Sequence, residues 1–407
     1  ETFTEWTFQI DPAAGVSPAH IAGALAPLVD RPGSGFAAGR AAAVLTAGMT
    51  SVSADDGAGT VTVTLDRPNA GLPWILSGLQ YSIVGPAGAP TGDYEIASDD
   101  SNGLILQRKP SRAAGGTRTG PRSAEVQITW TGNGSDALEV LDRGSVDAAV
   151  GDASAIGERR DAADRESPAM PTAATRFYVM NVRSSTLADP AVRLAVLSAT
   201  SAQGLVAIGF NQPVAGLDGL VAPSLAGFDP DGDCGRPCRG DPALAAETVA
   251  GLSSAGLKVS YTGDDQEALA SAIVDQLVSV GFDAKRIMLP PSELASVIVG
   301  GQTDLFAFGW VAPATSIDAV VPPLLRVDSA ANIARIESDR VARLLDDAAT
   351  TADDEQRWAI MSEAHRLAMA EALIVPIAGS VSMLIIAPEV RGLQVRADGT
   401  IDLDSSS

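Results

Sequence analysis

Histidine and cysteine are scarce in this chain of 407 residues, with two of each. Cys234 and Cys238 stand in Asp233-Cys234-Gly235-Arg236-Pro237-Cys238-Arg239, with no second cysteine pair to complete a zinc site. The two histidines, His20 and His365, are far from them in sequence, so the ligand spacing of a structural zinc site is excluded. No metal and no cofactor is expected. The Gly, Pro and Asp content of that stretch marks an exposed loop. A local Cys234–Cys238 disulfide is the preferred reading and implies an oxidising compartment. Two reduced thiols of a cytosolic protein are the alternative.

Long apolar runs are missing as well. None approaches the roughly 18 to 20 residues a membrane helix needs. Clustered positive charge is also missing. The formal charge is −22, and the basic residues are scattered and nearly all arginine. A nucleic-acid binder needs a cationic face, so nucleic acid is excluded as a partner. The acidity reads as a solubility feature, with steering of cationic ligands as the other reading. The chain opens directly on a strand-like run, Thr2 to Ile10, as processed secreted proteins and excised pieces both do.

Catalytic motifs do not assemble. Gly251-Leu252-Ser253-Ser254-Ala255 falls short of a nucleophile elbow because it ends in alanine and follows a helix. Gly33-Ser34-Gly35-Phe36-Ala37-Ala38 follows Pro32 instead of a strand, which is the wrong setting for a dinucleotide fingerprint. Asp229-Pro230-Asp231-Gly232-Asp233 opens like a calcium loop. Its sixth position is Cys234 and its twelfth is Gly240, where glycine and a bidentate Glu belong. His20 and His365 read as packing or surface residues, and Trp358 as a core residue. The chain is therefore not expected to be an enzyme, and a hydrolase is the least favoured reading.

What is present is an alternation of strands and helices around Lys258 to Trp310. Lys258 to Gly263 is extended. Leu269, Ile273, Leu277 and Val280 then form one helical face, with Gly281 at the C-terminal cap position. A second strand runs from Ala284 to Leu289, a short helix from Ser292 to Val299, and a third strand from Asp304 to Trp310. This is the unit of a doubly wound sheet, in which ligands bind beyond the carboxyl ends of the strands. Around it the pattern gives a helix after the Ser17-Pro18 start and hairpins at Val52 to Asp66 and around Asp99–Gly103. It gives a strand over Phe177–Val182 and a helix over Ala191–Thr200. Pro68 to Leu79 reads as a short helix and Gly204 to Asp241 as mainly loop. Two helices follow, near Ser338–Ala348 and Asp353–Ala372. Separate strand-like runs stand at Leu373–Ile377 and Met383–Ile386, with a closing hairpin over Val390–Leu403.

Several stretches carry a family likeness. Glu5-Trp6-Thr7-Phe8 with Val16-Ser17-Pro18-Ala19-His20-Ile21 is similar to a strand followed by a “T-A-x-D-V” helix start. Pro90-Thr91-Gly92-Asp93-Tyr94 is similar to a “G-T-G-P-Y” turn, and Arg143-Gly144-Ser145-Val146-Asp147 to “x-G-E-x-D”. Tyr178-Val179-Met180-Asn181 through Leu187-Ala188-Asp189-Pro190-Ala191-Val192-Arg193-Leu194-Ala195 is similar to “L-N-x…F-x-D-x-R-V-R-x-A”. Asp304 to Trp310 is similar to “Y-D-x-x-x-x-G-W”, and Glu389 to Leu393 to a closing “V-K-G”. Together these resemble the extracytoplasmic solute-binding proteins of ABC transporters, in the dipeptide, oligopeptide and nickel class called family five.

The resemblance implies an α/β, two-lobed, periplasmic-binding-protein-like fold of type II, hinged to close on a ligand. Lobe I would take residues 1–175, with a small αβ subdomain over about 1–90, completed by 376–407. Lobe II would take 176–375. It implies a monomer that delivers a small or peptide-like solute to a permease. It also implies an extracytoplasmic location and a lipid anchor on the full-length protein. A degenerate member acting as an envelope scaffold or regulator is the second reading. That reading is prompted by the lack of the family's usual segment ahead of Trp6 and by the altered pocket motif. Ser198 to Ala202, in place of “A-I-D-R”, is a further departure that bears on a hinge or hairpin contact. The expected ligand-binding residues are Trp310, Val311, Pro313, Asp318, Tyr178 and Asn181, with the strand Phe177 to Val182 lining the site beside Trp310. In peptide-binding relatives “G-W” is followed after two residues by an Asp that pairs with the ligand's α-amino group. Here that position is Pro313, and Asp318 could replace it only if the loop folds back.

Overall fold

The structure is a computed structural model describing residues 2–30, 44–46, 48–86, 92–109, 123–132, 134–151, 169–209, 214–231, 239–252, 256–390 and 392–402. The cysteine pair, the Gly33–Ala38 stretch and Ser253 to Ala255 lie outside the described residues. No helix among the described residues is long and apolar enough to cross a membrane. The chain divides into two compact units. One holds Glu1–Asn69, Ser77–Met170 and Val381–Ser407, and the other holds Ala70–Leu76 and Pro171–Ser380.

The first unit contains two small antiparallel sheets. In one, β1 (Glu5–Gln9) pairs with β3 (Thr60–Leu65), which pairs with β2 (Met49–Asp55). Val61, Val63 and Leu65 alternate with threonines and are buried, as a half-buried strand requires. Helix α1 (Pro18–Asp30) starts where Ser17 Oγ accepts the His20 N–H at 3.2 Å, with Pro18 in the first turn. In the second sheet β4 (Tyr94–Asp100), β5 (Gly103–Arg108) and β6 (Glu125–Thr129) pair in sequence order. The helix expected over Pro68–Leu79 shrinks to α2 (Leu72–Leu76), which belongs to the other unit, and a 3-10 turn at Leu79–Tyr81. Proline at position 73 can sit only in the first helical turn, and Gly78 interrupts the run. Helix α3 (Gly134–Asp142) buries Leu138 and Leu141 against β7 (Ala148–Gly151).

The second unit is built on a mixed sheet with strand order β11-β10-β12-β8-β13. The labels are β8 (Ala169–Met180), β9 (Val214–Gly216), β10 (Gly256–Tyr261), β11 (Asp283–Met288), β12 (Leu305–Val311) and β13 (Ile374–Ile386). β10 pairs in parallel with both β11 and β12, as the strand–helix–strand–helix–strand reading requires, and β12 pairs antiparallel with β8. Helices α4 (Pro190–Ala199), α5 (Ala202–Gly209), α6 (Pro242–Ala250), α7 (Asp264–Ser279) and α8 (Pro291–Val299) connect these strands. Leu269, Ile273 and Leu277 of α7, and Val280 at its C-cap, are all buried, each stabilising the fold by about 1.5–3 kcal/mol. Gly281, at φ 105°, ends α7 in a Schellman motif. Its N–H reaches Val278 O at 3.0 Å, and Phe282 N–H reaches Leu277 O at 3.1 Å. Asp189 caps α4, and Arg193 donates from its guanidinium to the carbonyls of Leu187, Ala188 and Glu371.

Two expectations need correction. The stretch read as loop from Gly204 contains most of α5 and the strand β9. β9 is three residues long and exists only because it pairs with Ala378–Ser380 of β13. The two strand-like runs near 373–386 are one strand. Small residues at Ala378, Gly379 and Ser380 break the apolar pattern in sequence but not the backbone ladder. Beyond Val381, β13 lies in the first unit and pairs with β7, followed by the hairpin of β14 (Gln394–Val395) and β15 (Ile401–Asp402).

Candidate functional site

The carboxyl end of β12 is where a parallel sheet offers ligands its loop, and Trp310 stands there opposite Thr175 of β8. Its indole N–H donates to Ala319 O at 2.8 Å, which folds residues 312–320 back against the strand. Trp310 is thereby buried, while the adjacent Val311 is 67% exposed. Ala312 N–H extends the ladder to Ala173 O at 2.9 Å, and Pro313 follows with no N–H to offer.

Asp318 sits in a 3-10 turn, Ile317–Ala319, started by Ser316, whose Oγ accepts the Asp318 N–H at 3.1 Å. The loop does fold back, but the carboxylate points into the protein and is 2% exposed. Asp318 Oδ1 accepts from Arg357 Nε at 2.9 Å, and Oδ2 accepts from Trp358 Nε1 and Ser316 Oγ, each at 2.8 Å. Two more helices, α10 (Asp339–Ala349) and α11 (Asp354–Ala370), follow α9 (Val321–Leu325), and α11 supplies both Arg357 and Trp358. Arg357 has no solvent exposure and spends its other donors on Thr351 O, Ala352 O and Asp354 Oδ1, the last at 2.6 Å. Asp354 Oδ2 accepts from Trp74 Nε1 at 3.0 Å, and the Trp74 and Trp358 rings meet edge-on with centroids 5.3 Å apart.

Trp74 arrives on the 70–76 strap, which is held by Ala70 N–H to Ala349 O at 2.9 Å. Gly71 lies flat on Asp318, and a Cβ there would overlap the carboxylate.

The electrostatics follow from these contacts. Burial alone would lower the Arg357 pKa, but hydrogen bonds and charge from Asp318 and Asp354 outweigh it and hold the guanidinium above its ordinary value. Burial would raise Asp354, and the hydrogen bonds from Trp74 and Arg357, with the Arg357 charge, bring it below the usual carboxylate range. Asp318 therefore already has its cation.

Tyr178 and Asn181 are placed differently. Tyr178 faces Ala307 across the β8–β12 pair and is fully buried. Its hydroxyl has no hydrogen-bond partner among the described residues, and burial pushes its pKa up. Asn181 follows the end of β8. Its amide donates to Ile298 O at 2.9 Å and Thr303 O at 3.0 Å, and its Oδ1 accepts the Arg183 N–H at 3.2 Å. Beside it, Asp304 accepts from the Lys258 N–H at 2.7 Å and from Ser184 Oγ. This polar network closes the amino end of β12. Because β8 runs antiparallel to β12, Asn181 and Trp310 lie at opposite ends of the pair, about 20 Å apart along the strand. The strand Phe177 to Val182 thus does not bring Asn181 to Trp310, and it ends at Met180.

Arg357 and Trp74 were not marked by the sequence, because a helical arginine and a lone tryptophan match the pattern of surface and core. His365 is a packing residue as expected, with Nε2 accepting the Leu220 N–H at 3.0 Å. Among the described residues no group of three or more His, Cys, Asp or Glu side chains could hold a metal ion.

With this geometry in hand, comparison with known proteins is decisive at the level of family. The family model described as bacterial extracellular solute-binding proteins, family 5 (middle), matches residues 24–332, well over half of the chain. The chain belongs to this family. A curated relative is the probable di/tripeptide-binding protein 5 of Pseudomonas aeruginosa (strain UCBPP-PA14). It is 25% identical over 255 residues, which are 60% of this chain and 47% of that protein. The match thus spans about half the length of that curated relative. Among solved structures, the periplasmic murein tripeptide-binding protein MppA, in its unliganded open form, has a TM-score of 0.82 at 16% identity. The match covers 100% of this chain and 86% of that one. NikA from Brucella suis, in complex with Fe(III)-EDTA, has a TM-score of 0.73 at 17% identity and covers 100% and 89%. These likenesses carry the fold, the two-lobed α/β fold of the family-five binding proteins.

Proposed function

We propose that this protein captures a small solute outside the cytoplasm and delivers it to an ABC permease, without catalysing a reaction on it. Family membership supports this reading, and so does the failure of the sequence motifs to form a catalytic set. The chain passes between its two units at 69/70, 76/77, 170/171 and 380/381, which suits hinge closure as the response to the solute. The solute is met at the carboxyl end of β12 by Trp310, Val311 and Pro313. Asp318, Tyr178 and Asn181 support these residues from within, Asp318 by fixing the loop and Asn181 by fixing the far end of the strand.

One observation supports a reading of the solute class. Asp318, the acid nearest after Trp310, is closed off by Arg357, Trp358 and Ser316, and Pro313 offers no charge. An ammonium buried there without a carboxylate would lose several kcal/mol of solvation. The site therefore favours blocked peptides, neutral solutes or metal chelates over peptides with a free N-terminus. The named relatives cover di- and tripeptides, a murein tripeptide and a metal chelate, so both peptide and non-peptide solutes are within reach of this fold.

A thermal-shift screen with N-acetylated peptides, sugars and metal chelates tests the reading. A true solute at a hundred times its Kd stabilises the folded state by about 2.7 kcal/mol, a shift easily read. Scattering with that solute should then show a smaller radius of gyration. A flat response across all three classes counts against solute capture.

A further inference from the structure

A second pocket in the Ala70–Leu76/Pro171–Ser380 unit involves none of Trp310, Val311 or Pro313. It is a solvent-open pocket of about 210 Å³ lined by the 216–230 loop, Arg239, Val321 and Ser362 and His365 of α11. At about 30 Å³ per water, that is room for roughly seven water molecules, enough for one amino acid. One wall is apolar, with Phe228 and Val321. The opposite groups are charged in both signs. Asp218 and Arg239 Nε pair at 3.4 Å, with the Arg239 side chain 63% exposed, and Asp229 adds an exposed second carboxylate. His365 forms the floor. Its Nε2 accepts the Leu220 N–H at 3.0 Å, which fixes the loop that carries Asp218.

We propose that this pocket binds a free amino acid or a similarly small zwitterion with an apolar side chain. A pocket of about 210 Å³ suits a ligand of amino-acid size. A guanidinium beside two carboxylates can meet a carboxylate and an ammonium held on neighbouring atoms. The Arg239 fork suits the carboxylate, and Asp229 suits the ammonium. The ligand carboxylate would share Arg239 with Asp218, which already pairs with it, and the ligand ammonium would answer Asp229. Phe228 and Val321 would cover the apolar side chain. The site shares none of Trp310, Val311 and Pro313 with the proposed solute site.

Calorimetry on the full chain with L-leucine tests this. Saturable binding is expected, weakened at least tenfold by N-acetylation and at least tenfold in leucinol, which lacks the carboxylate. Arg239→Gln and Asp229→Asn should each weaken L-leucine at least tenfold while leaving the melting temperature unchanged, because both side chains are exposed. Phe228→Ala should weaken L-leucine without touching either charge. No saturable heat at millimolar L-leucine would overturn the proposal. So would binding that Arg239→Gln and Asp229→Asn leave intact, since the ligand would then sit elsewhere. Either result leaves the reading of the β12 end untouched.

Discussion

Asp318 Oδ1 lies 2.9 Å from Arg357 Nε, and neither side chain is more than 2% exposed. A buried pair of this kind contributes little net stability, but breaking it is costly because one charge is left without its partner. Arg357→Met strands Asp318, and Asp318→Leu leaves Arg357 buried with Asp354 as its remaining carboxylate. Each should lower stability by about 3–5 kcal/mol, whereas the double change Asp318→Leu with Arg357→Met should recover much of the loss. Urea unfolding followed by tryptophan fluorescence, to which Trp74 and Trp358 contribute, measures all three. Additive losses in the double variant would show that the pair is not a unit.

Asp354 gives the same cluster an acid dependence. Its folded pKa is held below the ordinary carboxylate value of 3.8. A depressed folded pKa means that the unfolded state takes up the proton first. The stability this group contributes is therefore complete above its unfolded value and is lost as pH falls through its folded value. Asp354→Asn should melt below wild type near neutral pH, and the two curves should converge as pH falls through and below the depressed folded pKa of Asp354. A gap independent of pH would assign the loss to the Trp74 hydrogen bond alone.

Gly71 is a steric prediction. A methyl group there would enter the space of the Asp318 carboxylate, so the strap must lift or the ion pair must shift. Gly71→Ala should cost about 1–3 kcal/mol, as overpacking does. Gly23→Ala is the matched control. It meets nothing within 4 Å on helix α1 and should stabilise by up to about 1 kcal/mol through helix propensity. Differential scanning calorimetry on the two variants should show shifts of opposite sign.

These residues also show what the sequence can and cannot carry. The spacing of Leu269, Ile273, Leu277 and Val280 with Gly281 makes α7 readable, because helix periodicity and a capping glycine are local signals. The parallel β10–β11–β12 core follows from it. The ion pair is not local. Arg357 lies 39 residues beyond Asp318, and Trp74 reaches Asp354 across 280. Nothing in the spacing of either partner announces the other. The placement of Asn181 failed for a related reason. Two strands can each be recognised without revealing that their antiparallel register sets Asn181 and Trp310 at opposite ends. β9 was missed because a strand of three residues has no period to detect.

The last prediction concerns the solute itself. A peptide with a free N-terminus brings an ammonium that needs a buried carboxylate or must stay in water. The candidate carboxylate, Asp318, holds three hydrogen bonds, one of them from the Arg357 guanidinium, and opening it would leave Arg357 with Asp354 alone. Pro313 supplies neither charge nor donor. Calorimetry with a mixture of di- to pentapeptides should therefore show weak or no binding, and N-acetylation should not weaken it further. Micromolar binding that vanishes on N-acetylation would sink this reading. It would mean that Asp318 leaves Arg357 to meet the ligand, and Asp318→Asn should then abolish the binding that acetylation also abolishes.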